Sequence, residues 1–453
     1  MPRPTATFST TFFYSLRRLG NYRPILMLGQ PNSPSESRER MTFADNVLFF
    51  ALFSGPPKFR LRDPNASLES VIDWVVILHI VVWTLAGLWI VNKLWLSKTR
   101  VEFRPSPLEK LSLLLVCCLS VSILFSEGPA LTAFKVYQLL VTILFASVFM
   151  RCYGIKACLE GIFLGSAVLC AADAVAALVA PSMVFGLGEF GSLRFRGDLI
   201  AQTGVVGTLA LVLLLSSDRK RSPLAVTAGI ALFGSVLLFS LMRTSYLAFV
   251  AFLLLAIWKA PEIKLLRRVA RWGVLVLPLV MVGGALAQLE EYRAAESIWT
   301  LSDRVGLWAY LVDTMWTKSP WFGLGYFSAS RIYGPEYNEL LGTAHSVFIE
   351  ILSGGGIVSF AIFLLVWVLL LFYAFRLLRG RLTPTSFAVI GLLVVTSSFV
   401  FIGGELEADP AALTFWILVA SVPLLCQQQE KKEAISRSKP ALATGQHPLP
   451  HGI

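Results

Sequence analysis

Charge is what this 453-residue chain has least of. Asp, Glu, Lys and Arg make up 15% of it, against 56% hydrophobic residues, whereas a water-soluble domain carries about 25% charged residues. That balance excludes a surface wet all round. Histidine is scarcer, at four residues, and the six cysteines (117, 118, 152, 158, 170, 426) show no C-x-x-C and no Cys/His metal spacing. They read as core residues of apolar segments. No cleavable signal is expected, because the apolar stretch at 24–29 is too short for an h-region. Acid is short relative to base, 28 residues against 39, yet no basic run is interleaved with aromatics. Nucleic acid is therefore not the expected partner, and the excess fits the positive-inside rule and anionic lipid headgroups.

What the chain has in abundance is apolar length. A membrane-crossing helix needs roughly 17–25 apolar residues, and runs of about that kind lie at 71–92, 108–126, 130–150, 155–180, 199–217, 223–241, 244–258, 271–289, 355–377, 385–402 and 409–426. A shorter run, 43–56, is a twelfth span or an interfacial helix. The expected fold is all-α, a polytopic transmembrane bundle of 11–12 spans. Its expected organisation is a disordered tail over 1–40, transmembrane helices over 41–289, an extracytoplasmic loop over 290–345, further spans over 346–426 and a cytoplasmic tail over 427–453.

Lys and Arg set the orientation. The connections 216–223, 258–272 and 375–384 and the tail are strongly basic and alternate with the others, so they are expected in the cytoplasm, with both termini. The opposite side then holds "SEGP" (126–129), 181–198, "MRTS" (242–245), 290–345 and "GGELEADP" (403–410). A chemistry on that side has no ATP or nucleotide sugar and must use lipid-linked or exported substrates.

Arginines on the outer side run against the topology rule, so each needs a reason. They are Arg194, Arg196, Arg243, Arg293, Arg304 and Arg331. Arg243 stands between two abutting apolar runs, and an ionisable group at that depth is a functional candidate; a snorkelling arginine is the plainer alternative. Convergent guanidinium forks suit a pyrophosphate, whose oxygens they bond in pairs. In "KSPWFGLGYFSAS" the aromatics Trp321, Phe322, Tyr326 and Phe327 alternate with glycines, a pattern that fits sugar stacking and interfacial anchoring equally. His345, between this loop and the next apolar run, is either a proton-transfer group, with a reference pKa near 6.5, or a helix-end residue. His79, inside a span, reads as packing.

The order of these features resembles the O-antigen ligase and polymerase superfamily over roughly residues 105–426. It includes R-x-x-G (Arg194 to Gly197), the arginine between abutting spans (Arg243), D-R-x-x-x-W (Arg304, Trp308), P-x-x-G-x-G (Pro320, Gly323, Gly325) and H-x-x-x-x-E-x-x-x-x-G (His345, Glu350, Gly355). Ser346 and Gln202-Thr203 stand where the family commonly carries Asn and Pro-Asn. The resemblance implies a GT-C-like, metal-independent and cofactor-free glycosyltransferase of the inner membrane. It would move a glycan from undecaprenyl pyrophosphate to a glycan or lipid A-core acceptor, with other polysaccharide-assembly proteins as possible partners. By the same match Arg194, Arg243 and Arg304 hold the diphosphate and His345 is the catalytic histidine. Arg196, Arg331, Trp308 and Tyr326 are the expected substrate contacts. Two rivals remain open, a transporter of lipid-linked glycans and an inactive partner in such a complex. The carboxylates Glu405, Glu407 and Asp409 are expected in a solvated acidic loop, or one balancing the arginines, with a degenerate metal site as the lesser alternative. Asp173, late in its span, is expected to pair with an arginine or to meet substrate.

Overall fold

Backbone inside a bilayer has no water to bond, so apolar runs must satisfy their own N–H and C=O groups as helices. The computed structural model describes residues 41–55, 74–97, 101–179, 181, 185–187, 193–195, 203–217, 222–240, 243–259, 266–274, 304–338, 343–380, 382–402, 406–407 and 409–438. These are almost entirely helical. In order they form α1 (Phe43–Ser54), α2 (Trp74–Val91), α3 (Pro107–Val121), α4 (Pro129–Val179), α5 (Thr203–Ser216), α6 (Pro223–Ser240), α7 (Arg243–Lys259), α8 (Arg304–Lys318), α9 (Ser328–Tyr337), α10 (Val347–Arg379), α11 (Pro384–Ile402) and α12 (Pro410–Ser438). Residues 266–274 are also helical. One small antiparallel pair, β1 (Phe185–Leu187) with β2 (Leu193–Phe195), lies in the connection after α4.

Among the described residues, seven helices are long and apolar enough to cross a membrane, and α1, α5 and most of α7 are shorter apolar helices. The chain is a multi-pass, all-α membrane protein. The lower count has three causes. The runs at 199–217 and 244–258 form the shorter helices α5 and α7, most of the run at 271–289 lies outside the described residues, and the runs at 130–150 and 155–180 are joined in α4.

A straight 51-residue helix would be about 76 Å long, more than twice the hydrocarbon thickness of about 30 Å. α4 avoids this at Gly154, whose φ of 78° and ψ of 168° leave the helical region. Phe49 of α1 shows how far the two halves fold back. Its ring lies 6.5 Å from that of Phe145 and 4.9 Å from that of Phe149. It also abuts Gly161, where a Cβ would come within 2.9 Å of it. In a straight helix Phe145 and Gly161 would be about 24 Å apart. The small pair Gly161 and Gly165 receives Phe49 and Phe53, the close small-residue packing that associates helices in lipid.

α1 begins where Trp89 donates to Asp45 at 2.7 Å, with a capping box between Thr42 and Asp45. Its 12 residues cover about 18 Å, so α1 itself does not span.

α10 is also broken, at Gly356 (φ 70°, ψ −175°). Its first piece, Val347 to Gly355, folds back so that Phe348 packs against Phe363 at 5.3 Å and Trp367 at 5.7 Å. The long apolar piece that follows ends at Arg376 and Arg379. Arg376 pairs with Glu430 of α12 at 2.9 Å, twenty residues and hence about 30 Å along the helix from Gly356.

A second, smaller core sits against the first piece of α10, through Ile349 and Leu352. Leu307, Leu311 and Met315, at helical spacing on α8, bury against Leu324, Ala329, Tyr333 and Ala344. Residues 304–338, with Ala344, thus build a small helical cap with its own buried cluster.

Candidate functional site

Two glycine motifs join the cap to the bundle. The backbone of 320–325 runs along that of 353–358. Leu324 N donates to Ser353 O and Gly325 N to Gly354 O, each at 2.9 Å, while Ile357 N donates to Pro320 O at 3.0 Å. A Cβ on Gly323 (φ +74°) would lie 2.4 Å from the carbonyl of Gly354, and one on Gly356 2.4 Å from that of Trp321. Backbone meeting backbone thus explains Gly323, Gly354 and Gly356, whereas Gly325 is closed in by the side chains of Ser126 and Ser328, and Gly355 by those of Leu119 and Ser359.

The cap is also tied to the Ser126–Gly128 turn. Ser126 Oγ and Ser328 Oγ are 2.6 Å apart, and Thr132 Oγ1 donates to Ser328 Oγ at 2.9 Å. Tyr333 donates to Glu127, and Lys318 Nζ donates to Glu127 at 3.2 Å. These partners hold the Glu127 carboxyl below the usual carboxylate range, the tyrosine bond being the larger cause. On the other side of the cap, Tyr326 donates to Glu407 at 2.8 Å. The turn at 126–128, the described part of the loop at 318–333 and Glu407 therefore meet on one face of the bundle.

His345 stands on that face. It is half-buried, and with φ 51° it is one of two non-glycine residues of left-handed backbone among the described residues, the other being Phe327 at 64°. Such conformations cost on the order of 1–3 kcal/mol and collect at functional sites. Ser346, not His345, is the N-cap of α10. The residue before the histidine is pinned, because Trp308 Nε1 donates to Ala344 O at 2.7 Å. Arg304 lies one turn before Trp308 and shares its face of α8. The fold thus brings Arg304, Trp308 and His345 to one locality.

The other expected residues divide. Arg331, on α9, rests its guanidinium 5.2 Å from the centre of the Phe327 ring. Tyr326 is buried, 1% exposed, and its hydroxyl is committed to Glu407. Arg243 heads α7 and Arg194 lies in β2, but their side chains, like all of Arg196 and Arg293, lie outside the described residues. Of the loop aromatics, Trp321 and Phe322 are exposed at the cap's edge, Phe322 stacking on Phe125 at 5.4 Å. Phe327 is buried with Tyr326, so the four are not one stacking platform.

Of the acidic segment, Glu407 and Asp409 are buried and not solvated. Glu407 is 1% exposed and lies 3.0 Å from Lys135 Nζ. Asp409 accepts from Ala412 N at 2.6 Å and so caps α12. Glu405 lies outside the described residues. Among the described residues no group of three His, Cys, Asp or Glu side chains gathers as a metal site would need.

Sequence reasoning passed over Lys135 altogether. The signal was present, since it is a lysine inside the apolar run 130–150 with Gln138 and Thr142 three and seven residues on. His79 packs as expected, stacked on Trp83 at 5.4 Å, and its ring nitrogen lies 3.2 Å from Gln138. Asp173 is half-buried near the end of α4.

Residues 228–364 match the family model described as O-Antigen ligase. The chain carries an O-antigen ligase domain. The matched stretch runs from α6 into α10 and contains Arg243, Arg304, Trp308, Tyr326, Arg331 and His345. Arg194, Lys135 and Glu407 fall outside it. No curated protein matches the chain. That domain family has O-antigen ligase or polymerase-type function in polysaccharide assembly, of membrane glycosyltransferase type, and implies lipid-linked glycan substrates.

Proposed function

We propose that the protein transfers a glycan from undecaprenyl pyrophosphate to an acceptor sugar hydroxyl at the outer leaflet of the inner membrane, as ligase or polymerase. His345 takes the proton from the acceptor hydroxyl, whose oxygen bonds the anomeric carbon. The bond from that carbon to the pyrophosphate oxygen breaks, and the lipid diphosphate leaves with the electron pair. Arg304, Arg243 and Arg194 are assigned to the charge that develops there, with Arg196 and Arg331 on the remaining diphosphate oxygens. Preorganised guanidinium groups in a water-poor site are suited to that task. Because these arginines carry the neutralisation, the step as proposed is metal-independent.

The observation that carries this reading is the bond from Trp308 to Ala344. It couples the arginine-bearing face of α8 to the left-handed turn that presents His345, inside the stretch that matches the ligase family. The outer-leaflet assignment is supported by the basic connections and by the position of Arg376 and Glu430, about a membrane thickness from the cap.

The test is to express His345→Ala and Arg304→Ala in cells lacking the native gene and to locate the lipid-linked glycan. Loss of a general base should slow transfer by about 10²–10⁴-fold and leave the donor on the outer leaflet. Donor trapped on the cytoplasmic leaflet would instead mark a transporter. Free polymer after gene deletion identifies a ligase, and single repeats identify a polymerase.

A further inference from the structure

Beneath the cap lies a buried polar seam that the transfer step does not use. Lys135, Gln138 and Thr142 fall on one face of α4 and are 8%, 0% and 2% exposed. Lys135 Nζ lies 3.0 Å from Glu407 Oε1, an ionic contact without hydrogen-bond alignment. Glu407 Oε2 accepts from Tyr326 at 2.8 Å, and Glu407 O accepts from Thr142 Oγ1 at 2.9 Å. The same ammonium sits 3.7 Å from the centre of the Phe327 ring.

This lysine is poorly placed to hold phosphate. Its side chain is 11% exposed and already faces a carboxylate that is fully enclosed. A buried ion pair is not explained by stability either, because an apolar pair of like volume is often as stable. What such a pair supplies is a fixed geometry, and here the geometry leads outward. Phe327 is held in its left-handed turn at the head of α9. One helical turn on, Arg331 lies against the same ring.

We infer that Lys135, Glu407 and Phe327 are positioning residues: the buried ion pair fixes the Phe327 ring, and the ring sets where Arg331 presents its guanidinium to the lipid diphosphate. The identity of that ligand rests on the proposed transfer reaction; the mechanical coupling does not.

The experiment uses the full chain in nanodiscs, with Lys135→Met and Glu407→Gln made together so that no lone charge is left buried, and Phe327→Leu as a second variant. Hydrogen exchange without ligand should quicken about tenfold across 326–331 in both variants, while amides of 139–150 keep their protection. Unchanged exchange at 326–331 overturns the coupling. With undecaprenyl-pyrophosphate-linked glycan as donor, the double variant should raise the donor KM about tenfold and change kcat by less than about threefold. Arg331→Ala should raise KM in the native background and add nothing in the double variant. A full additive effect of Arg331→Ala overturns the inference even if exchange quickens. A native protein that transfers nothing counts against the transfer reaction alone, since the exchange result still decides the coupling.

Discussion

The indole N–H of Trp308 donates to the carbonyl of Ala344 at 2.7 Å, and the residue after Ala344 is the left-handed His345. One helix face and one strained turn are thereby locked together across 36 residues. Trp308→Phe keeps the ring and removes the donor. It should cost about 1 kcal/mol of stability while lowering kcat about 10–100-fold, because small misplacement of a reacting group is expensive in rate. Thermal unfolding in detergent and single-turnover transfer separate the two effects; equal losses in both would leave the bond a merely structural one.

The crossing of 320–325 with 353–358 predicts an unusual sensitivity to one methyl group. Gly323→Ala places a Cβ 2.4 Å from the Gly354 carbonyl at a φ of +74°, where neither backbone can yield. A loss above about 3 kcal/mol, or failure to accumulate in the membrane, is expected. Gly234→Ala is the control, since nothing lies within 4 Å of its Cβ. There the better helix propensity of Ala should leave stability unchanged or raise it by up to about 1 kcal/mol.

Arg151 and Glu109 form the corresponding lock at the far end of the bundle. The guanidinium meets both carboxylate oxygens, at 2.6 and 2.7 Å, with side-chain exposures of 13% and 1%. Arg151→Met strands the carboxylate and should cost about 3–5 kcal/mol, most of it recovered by adding Glu109→Gln. Transfer by the folded fraction of the double variant should be near normal, because the pair lies far from His345.

The Glu127, Lys318 and Tyr333 contact gives the docking of the cap a defined pH window. The carboxyl of Glu127 is lowered by Tyr333 and then Lys318. Its contribution is therefore present above its unfolded value, about 4.3, and is lost as pH falls through the lower folded value. Lys318 is raised by its bonds to Tyr333 and Glu127, and Tyr333 by burial and then Glu127. Their contributions are complete below their unfolded values, about 10, and vanish as pH climbs through the raised ones. Exchange protection across 318–333 should be flat between these limits and fall at both ends. Glu127→Gln should abolish the acid-side loss; an unchanged acid limb would assign it to another group.

Much of this molecule can be read from its letters. Low charge and long apolar runs require helices in a bilayer, because lipid offers the backbone no other partner. The ordered arginine, glycine and histidine motifs point to the ligase family. The alternation of basic loops puts 126–129, 290–345 and 403–410 on a single side. Letters alone could not separate Trp321 and Phe322, which lie exposed, from Tyr326 and Phe327, which are buried; all four have the same local pattern. Nor could they pair Lys135 with Glu407, 272 residues apart in a 453-residue chain. Periodicity reports which face of an element is apolar, and hydropathy reports where it lies in depth. Which polar group meets which depends on how far α4 and α10 fold back at Gly154 and Gly356, and that is fixed only when the helices pack.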